Sequence, residues 1–195
     1  MSSFSILATS DDPRHCLIDE VPESLESKMW RIAAGLPMEH RYPADVVLPM
    51  DKGHKGLVVP DLVSNTERIA IVSTRLKTLL EQYSGARIEF LPVSISNHKG
   101  RIAAKDYFIA NVLEHVDCID KERSEVEELD PDPARLSGLF RLRVLDDRIP
   151  AEAALFRLKP MPPAILIRED LRARLSAESL SGIRYIELGE KCAIY

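Results

Sequence analysis

No apolar run in this 195-residue sequence approaches the ~20 residues that a membrane-spanning helix requires. The first residues, MSSFSILATSDDPRHC, have neither a basic start nor a long apolar segment, so no secretory signal is expected. Cysteine is scarce: Cys16, Cys118 and Cys192 are an odd number in no paired spacing. That argues against a disulfide framework or zinc knuckle and for a reducing cytoplasm. A basic surface is missing too. The formal net charge is −5, and no face rich in Lys and Arg is long enough to track nucleic acid. Catalytic signatures are absent: no G-x-S-x-G elbow, no glycine-rich phosphate loop and no H-E-x-x-H occurs. The expectation is a cytoplasmic chain without cofactor, metal, nucleic acid or membrane as its ligand.

What is present is ordinary for a globular protein. Apolar residues make up 45% and charged residues 29%, and the length allows a core without covalent staples. Thirteen prolines favour many short elements over a helical bundle. PESLESKMWRIAAGLP (22–37) predicts a helix with Leu25, Met29, Ile32 and Leu36 as its apolar stripe and Gly35 and Pro37 as its stop. DVVLPM and GLVVPDLV read as short strands joined by a hairpin turn at DKGHKG. In 69–93, Ser73 can cap a helix carrying Leu76, Leu79, Leu80 and Tyr83, which Gly85 ends before a strand. NHKGR then turns the chain so that a strand over 106–118 pairs back. LFRLRV (139–144) alternates, with Leu139, Arg141 and Arg143 on one face and Phe140, Leu142 and Val144 on the other.

Residues 165–188 repeat the pattern of 69–93. Val72 falls on Ile167, Leu76 on Leu171, Leu80 on Leu175 and, after two inserted residues, Gly85 on Gly182. The expected fold is α+β: a mostly antiparallel sheet with helices packed on one side and a weakly repeated strand–helix–strand unit. Residues 1–60 form a helical and extended N-terminal region and 61–195 the main α+β domain, or the two run together as one.

Candidate chemistry centres on HVDC. His115 and Cys118 could pair as base and nucleophile, but residues three apart on a strand point to opposite faces. Cys118 then reads as a small buried apolar residue. His115 and Asp117 share a face but lack a third metal ligand at a telling spacing. GHKG (53–56) fits the G-x-x-G of an RNA-clamping loop, but its flanks look extended where that loop joins helices.

The acidic run is the strongest charge feature. Residues 119–133 hold seven acids against two bases, a charge of −5 in fifteen residues. Either it is a solvated connector, or Glu122, Glu125, Glu127, Glu128, Asp130 and Asp132 form a docking surface for a basic protein.

Three blocks carry a family resemblance: VSTRLKTLLEQYSGARIEFLPV; YFIANVLEHVDCIDKERSE; and LFRLRVLDDRIPAEAALFRL followed by ILIREDLRARLSAESLSGIRYIEL. Tyr107, Asn111, Asp117, Cys118, Asp120 and Ser124 keep a Y-x-x-x-N…D-C-x-D-x-x-x-S arrangement, and Phe156 and Arg157 a later F-R. Over about residues 60–190 the chain resembles the bacterial immunity-protein domain of polymorphic toxin systems, named after a myxobacterial protein. The resemblance implies a small cytoplasmic protein, encoded beside a toxin, that neutralises it by direct binding and supplies no catalytic residues. It leaves the motif residues as architecture, with Asp117 and Asp120 free to accept backbone N–H groups at a strand end. The competing readings are an enzyme that reverses a toxin's modification through Cys118 or His115, and a subunit of a larger assembly. An edge strand also leaves room for a homodimer.

Overall fold

The computed structural model describes residues 3–195; the first two residues of the expected N-terminal region lie outside them. In chain order the strands and helices are β1 (Phe4–Thr9), β2 (Leu17–Ile18), α1 (Glu23–Glu26), α2 (Met29–Ala33), β3 (Val47–Pro49), β4 (Leu62–Asn65), β5 (Ile71–Ser73), α3 (Thr74–Tyr83), β6 (Ile88–Ser96) and β7 (Ile102–Val112). They continue as β8 (His115–Val116), β9 (Glu125–Glu128), β10 (Leu136–Arg141), β11 (Leu155–Leu158), β12 (Met161–Arg168), α4 (Glu169–Ala177), β13 (Ile183–Glu187) and β14 (Lys191–Ile194). The fold is α+β with mainly antiparallel pairing, as expected.

Local chemistry explains the best-formed pieces. Ser73 Oγ accepts the Leu76 N–H at 3.2 Å and starts α3. Gly85 (φ +63°) releases the chain into β6. At NHKGR, Asn97 Oδ1 accepts the N–H groups of Lys99 and Arg101, and the β6–β7 hairpin follows.

Strand order shows a duplication. One sheet runs β2-β4-β5-β7-β6-β3 and another β13-β1-β12-β11-β8. In the first, β2 is parallel to β4, while β4–β5, β5–β7 and β7–β6 are antiparallel. In the second, β8 is parallel to β11, while β11–β12, β12–β1 and β1–β13 are antiparallel. Five strands therefore match in order and direction. The registers match as well: Leu62 faces Val72 as Leu155 faces Ile167, and Tyr107 faces Ser73 as Phe4 faces Arg168. The repeated strand–helix–strand unit is β5–α3–β6 and β12–α4–β13, each with one antiparallel strand inserted in the middle.

The inserted strands are exchanged. β1 opens the first repeat but completes the sheet of the second, and β7 opens the second but completes the sheet of the first. Chain pairing thus crosses residue 60. The two helices meet over a shared core in which Leu62, Val72, Leu76 and Leu80 pack with Leu155, Ile167, Leu171 and Leu175. A second core fills the opposite face of the six-stranded sheet, where Leu25, Met29 and Ile32 cover Ile71, Leu91, Val93, Ile95 and Ile109. Burial of such side chains contributes roughly 1.5–3 kcal/mol each.

Four local expectations change. The helix over 22–37 is broken at Ser27 and Lys28 into α1 and α2, and Leu36 is exposed rather than part of the buried stripe. DKGHKG is not a hairpin turn, because β3 pairs in parallel with β6 instead of with β4. The strand over 106–118 stops at Val112, and β8 joins a different sheet. The alternation of LFRLRV is interrupted by a register shift between Leu139 and Arg141, so Leu139 and Leu142 are both buried.

Candidate functional site

The acidic run begins at a tightly tied turn. Asp120 N–H donates to Arg143 O at 2.9 Å, and the Asp120 carboxylate accepts the Arg123 N–H at 3.2 Å. Ser124 Oγ accepts the Arg143 N–H at 2.9 Å and donates to Arg143 O at 3.1 Å. These contacts launch β9, a strand where the sequence analysis expects a connector or a docking surface. It is an edge strand, paired antiparallel with β10 in the sheet β14-β10-β9. Its other side is unpaired among the described residues, and its side chains are mostly acidic and exposed.

Three of the acids have ion-pair partners, the first being Asp120, whose carboxylate lies 3.8 Å from Arg123. Arg141 Nε lies 2.9 Å from Glu125, and Lys121 Nζ lies 2.7 Å from Glu128. Such exposed pairs contribute only about 0–1 kcal/mol and mainly restrict side-chain motion. Asp132 accepts the Ala134 N–H at 3.2 Å. Glu122, Glu127 and Asp130 make no side-chain ion pair or hydrogen bond among the described residues, and all three are exposed.

Cys118 is fully buried beside Asp117 on the chain. Burial, helped by the Asp117 charge, pushes its thiol up to about 12, so it is protonated at neutral pH and a poor nucleophile. His115 faces elsewhere: Nε2 lies 2.9 Å from Ala34 O and Nδ1 3.2 Å from Leu113 O. Asp117 is exposed and its carboxylate accepts no hydrogen bond among the described residues. Those residues contain no group of three or more His, Cys, Asp or Glu placed to hold a metal ion.

Other motif residues meet at a buried polar clamp. Arg157 has 0% exposure and stands in the apolar run of β11. Its guanidinium donates to Val112 O (2.8 Å), Pro162 O (2.7 Å), Ile32 O (3.2 Å) and Ala33 O (3.4 Å). No carboxylate lies within ion-pair range of it among the described residues; the last two oxygens belong to the C-terminal turn of α2. Burial lowers its pKa to about 10, which leaves it charged at neutral pH. Asn111 donates to Leu36 O at 2.9 Å and to Glu89 at 3.1 Å. The Glu89 carboxylate in turn accepts the N–H groups of Met38 (2.8 Å) and Glu39 (2.9 Å). Arg157, His115, Asn111 and Glu89 together grip residues 32–39 from both large sheets. Gly35 (φ +66°) passes so close that a Cβ there would lie 2.7 Å from Arg157 Cδ and His115 Cε1. Tyr107 anchors a different segment, its hydroxyl donating to Pro60 O at 3.2 Å, and Phe156 packs edge-on against Phe4.

Sequence reasoning missed Glu89 and read Gly35 only as a helix stop. Arg157 had a usable signal, a charge flanked by Phe156 and Leu158 in an otherwise apolar run.

A family model described as an immunity protein family (Imm11) matches residues 5–190. The match includes the N-terminal region that the quoted sequence blocks do not reach. No curated protein matches the chain.

Proposed function

The chain belongs to the Imm11 immunity protein family, and from that premise we propose that it neutralises a cognate toxin by binding it directly and covering its active site. The observation that carries the reading is β9, an exposed acidic strand with one unpaired side. A toxin that acts on nucleic acid or a phosphorylated cofactor needs a positive groove, and negative potential steers a partner into such a groove. Glu122, Glu127 and Asp130 supply charge that no neighbouring base cancels. The polar clamp is structural in this reading, because its donors point at the protein's own carbonyls and at Glu89.

The toxin is basic in this proposal, and both proteins meet in the cytoplasm. No helix among the described residues is long and apolar enough to cross a membrane. Self-association through β9 would set Glu against Glu, and directly opposed like charges destabilise strand pairing. The charge thus protects the edge from a second copy while leaving it open to a basic partner.

Co-expression with the toxin encoded beside it tests the function: growth is rescued and a stable complex is isolated. No rescue and no complex would defeat the proposal. Reversing Glu125, Glu127 and Glu128 to Lys tests the surface. The association rate should fall about tenfold or more at low salt and lose its salt dependence. An unchanged association rate would remove β9 from the interface.

A further inference from the structure

A cleft of about 300 Å³ opens where the two repeats meet. It is lined by Ile165, Ile186 and Ile194 from β12, β13 and β14, and by the charged residues Asp11, Arg68 and Arg184. Arg184 pairs with Asp11 at 3.1 Å. Arg68 is exposed, and its side chain makes no ion pair or hydrogen bond among the described residues.

The backbone holds Arg68 in an unusual way. Its φ is +57°, a left-handed conformation that a non-glycine residue seldom adopts. Asn65 stabilises the loop: its Nδ2 donates to Ile69 O at 2.7 Å and to Val63 O at 3.2 Å, and its Oδ1 accepts the Ile69 N–H at 3.1 Å. A strained position stabilised by its neighbours and carrying a free charge beside a concave apolar surface has the form of a binding device. The chemistry it fits is an anion at the end of an apolar stem: the stem against the isoleucines that line the cleft and the anion against Arg68.

The position suggests whose anion it is. β14 forms part of the cleft wall and is separated from the acidic strand β9 only by β10. Two strand spacings are roughly 10 Å, well within one standard protein interface. We infer that the cleft extends the toxin-binding surface by receiving a toxin side chain or chain end with a carboxylate on an aliphatic stem, with Arg68 as its anchor. The inference rests on the proposed direct binding of a toxin.

The test uses the full chain and two probes. In methyl-detected NMR, sodium hexanoate should shift the Ile165, Ile186 and Ile194 methyl groups saturably, and hexylammonium should not. Arg68→Gln should weaken hexanoate at least fivefold, and Arg68→Lys should weaken it less. Equal binding of the two probes, or an unchanged Arg68→Gln variant, overturns the cleft as an anion site. The second probe is the adjacent toxin: Arg68→Gln should raise its Kd at least fivefold through faster dissociation. If the wild type binds the toxin and Arg68→Gln binds equally well, the inference is wrong and the immunity reading stands. If the wild type does not bind, both fall.

Discussion

The two repeats share a frame and differ in what fills its gaps. Between β2 and β3 the first repeat inserts α1 and α2, which close its core. Between β8 and β10 the second inserts β9, which leaves an acidic edge in solvent. At one equivalent position the first repeat has Ser64, opposite Leu17, and the second has Arg157, opposite His115. The second repeat thus uses buried polar groups to hold the helical insertion of the first. The frame is common to both halves; the insertions and the clamp residues are where they differ.

Removing the clamp should produce the largest effect. Arg157→Ala leaves four carbonyl oxygens without their donor and opens a cavity, and should cost about 3–5 kcal/mol in urea unfolding. Ser64→Ala, at the matching position, should stay within about 0.5 kcal/mol. Equal costs would mean that the repeats do not differ as described.

The paired glycines sharpen the comparison next. Gly85 and Gly182 both have positive φ, but a Cβ at Gly85 meets nothing within 4 Å. At Gly182 it would meet the Leu62 carbonyl oxygen and lie 2.7 Å from Pro60 Cβ. Gly85→Ala should cost about 1–2 kcal/mol from the left-handed backbone alone. Gly182→Ala should cost about 1–3 kcal/mol more, because the loop before β13 packs on the loop before β4. Thermal or urea denaturation of both variants decides it.

A smaller effect is expected where those loops are clasped. Asp61 accepts the Ser181 N–H and hydroxyl, both at 2.9 Å, and the Ser73 hydroxyl at 2.6 Å. Burial pushes the Asp61 carboxyl up, but these hydrogen bonds outweigh it and hold the group below its ordinary 3.8. A depressed carboxyl stabilises the fold above its unfolded value and loses that contribution as pH falls through its lower folded value. Asp61→Asn should therefore cost about 1 kcal/mol at pH 7 and flatten the stability curve below pH 4. An unchanged acid limb would show that the clasp does not couple the repeats. Charge reversal on β9 should come last, within about 0.5 kcal/mol, since its pairs are exposed.

Much of the frame was legible because its signals are local. The leucine spacing of α3 and α4 and the glycines after them revealed the repeated unit without knowledge of any partner strand. The exchange of β1 and β7 was not legible, because strand pairing depends on contacts far apart in sequence. The break at Ser27 was hidden for another reason. Leu25, Met29 and Ile32 keep a helical spacing through the break, and all three are buried, so the apolar pattern does not mark it. At the acidic run the composition was plain, but its strand conformation depends on β10 and on the Asp120–Ser124 turn.

The crossed first strands also order the events of synthesis. The six-stranded sheet has all its strands once residue 112 has left the ribosome, whereas β1 waits for β12 and β13 before it can be enclosed. A nascent chain therefore carries β1 as an open strand until residues 161–187 have emerged, and the second large sheet closes after the first.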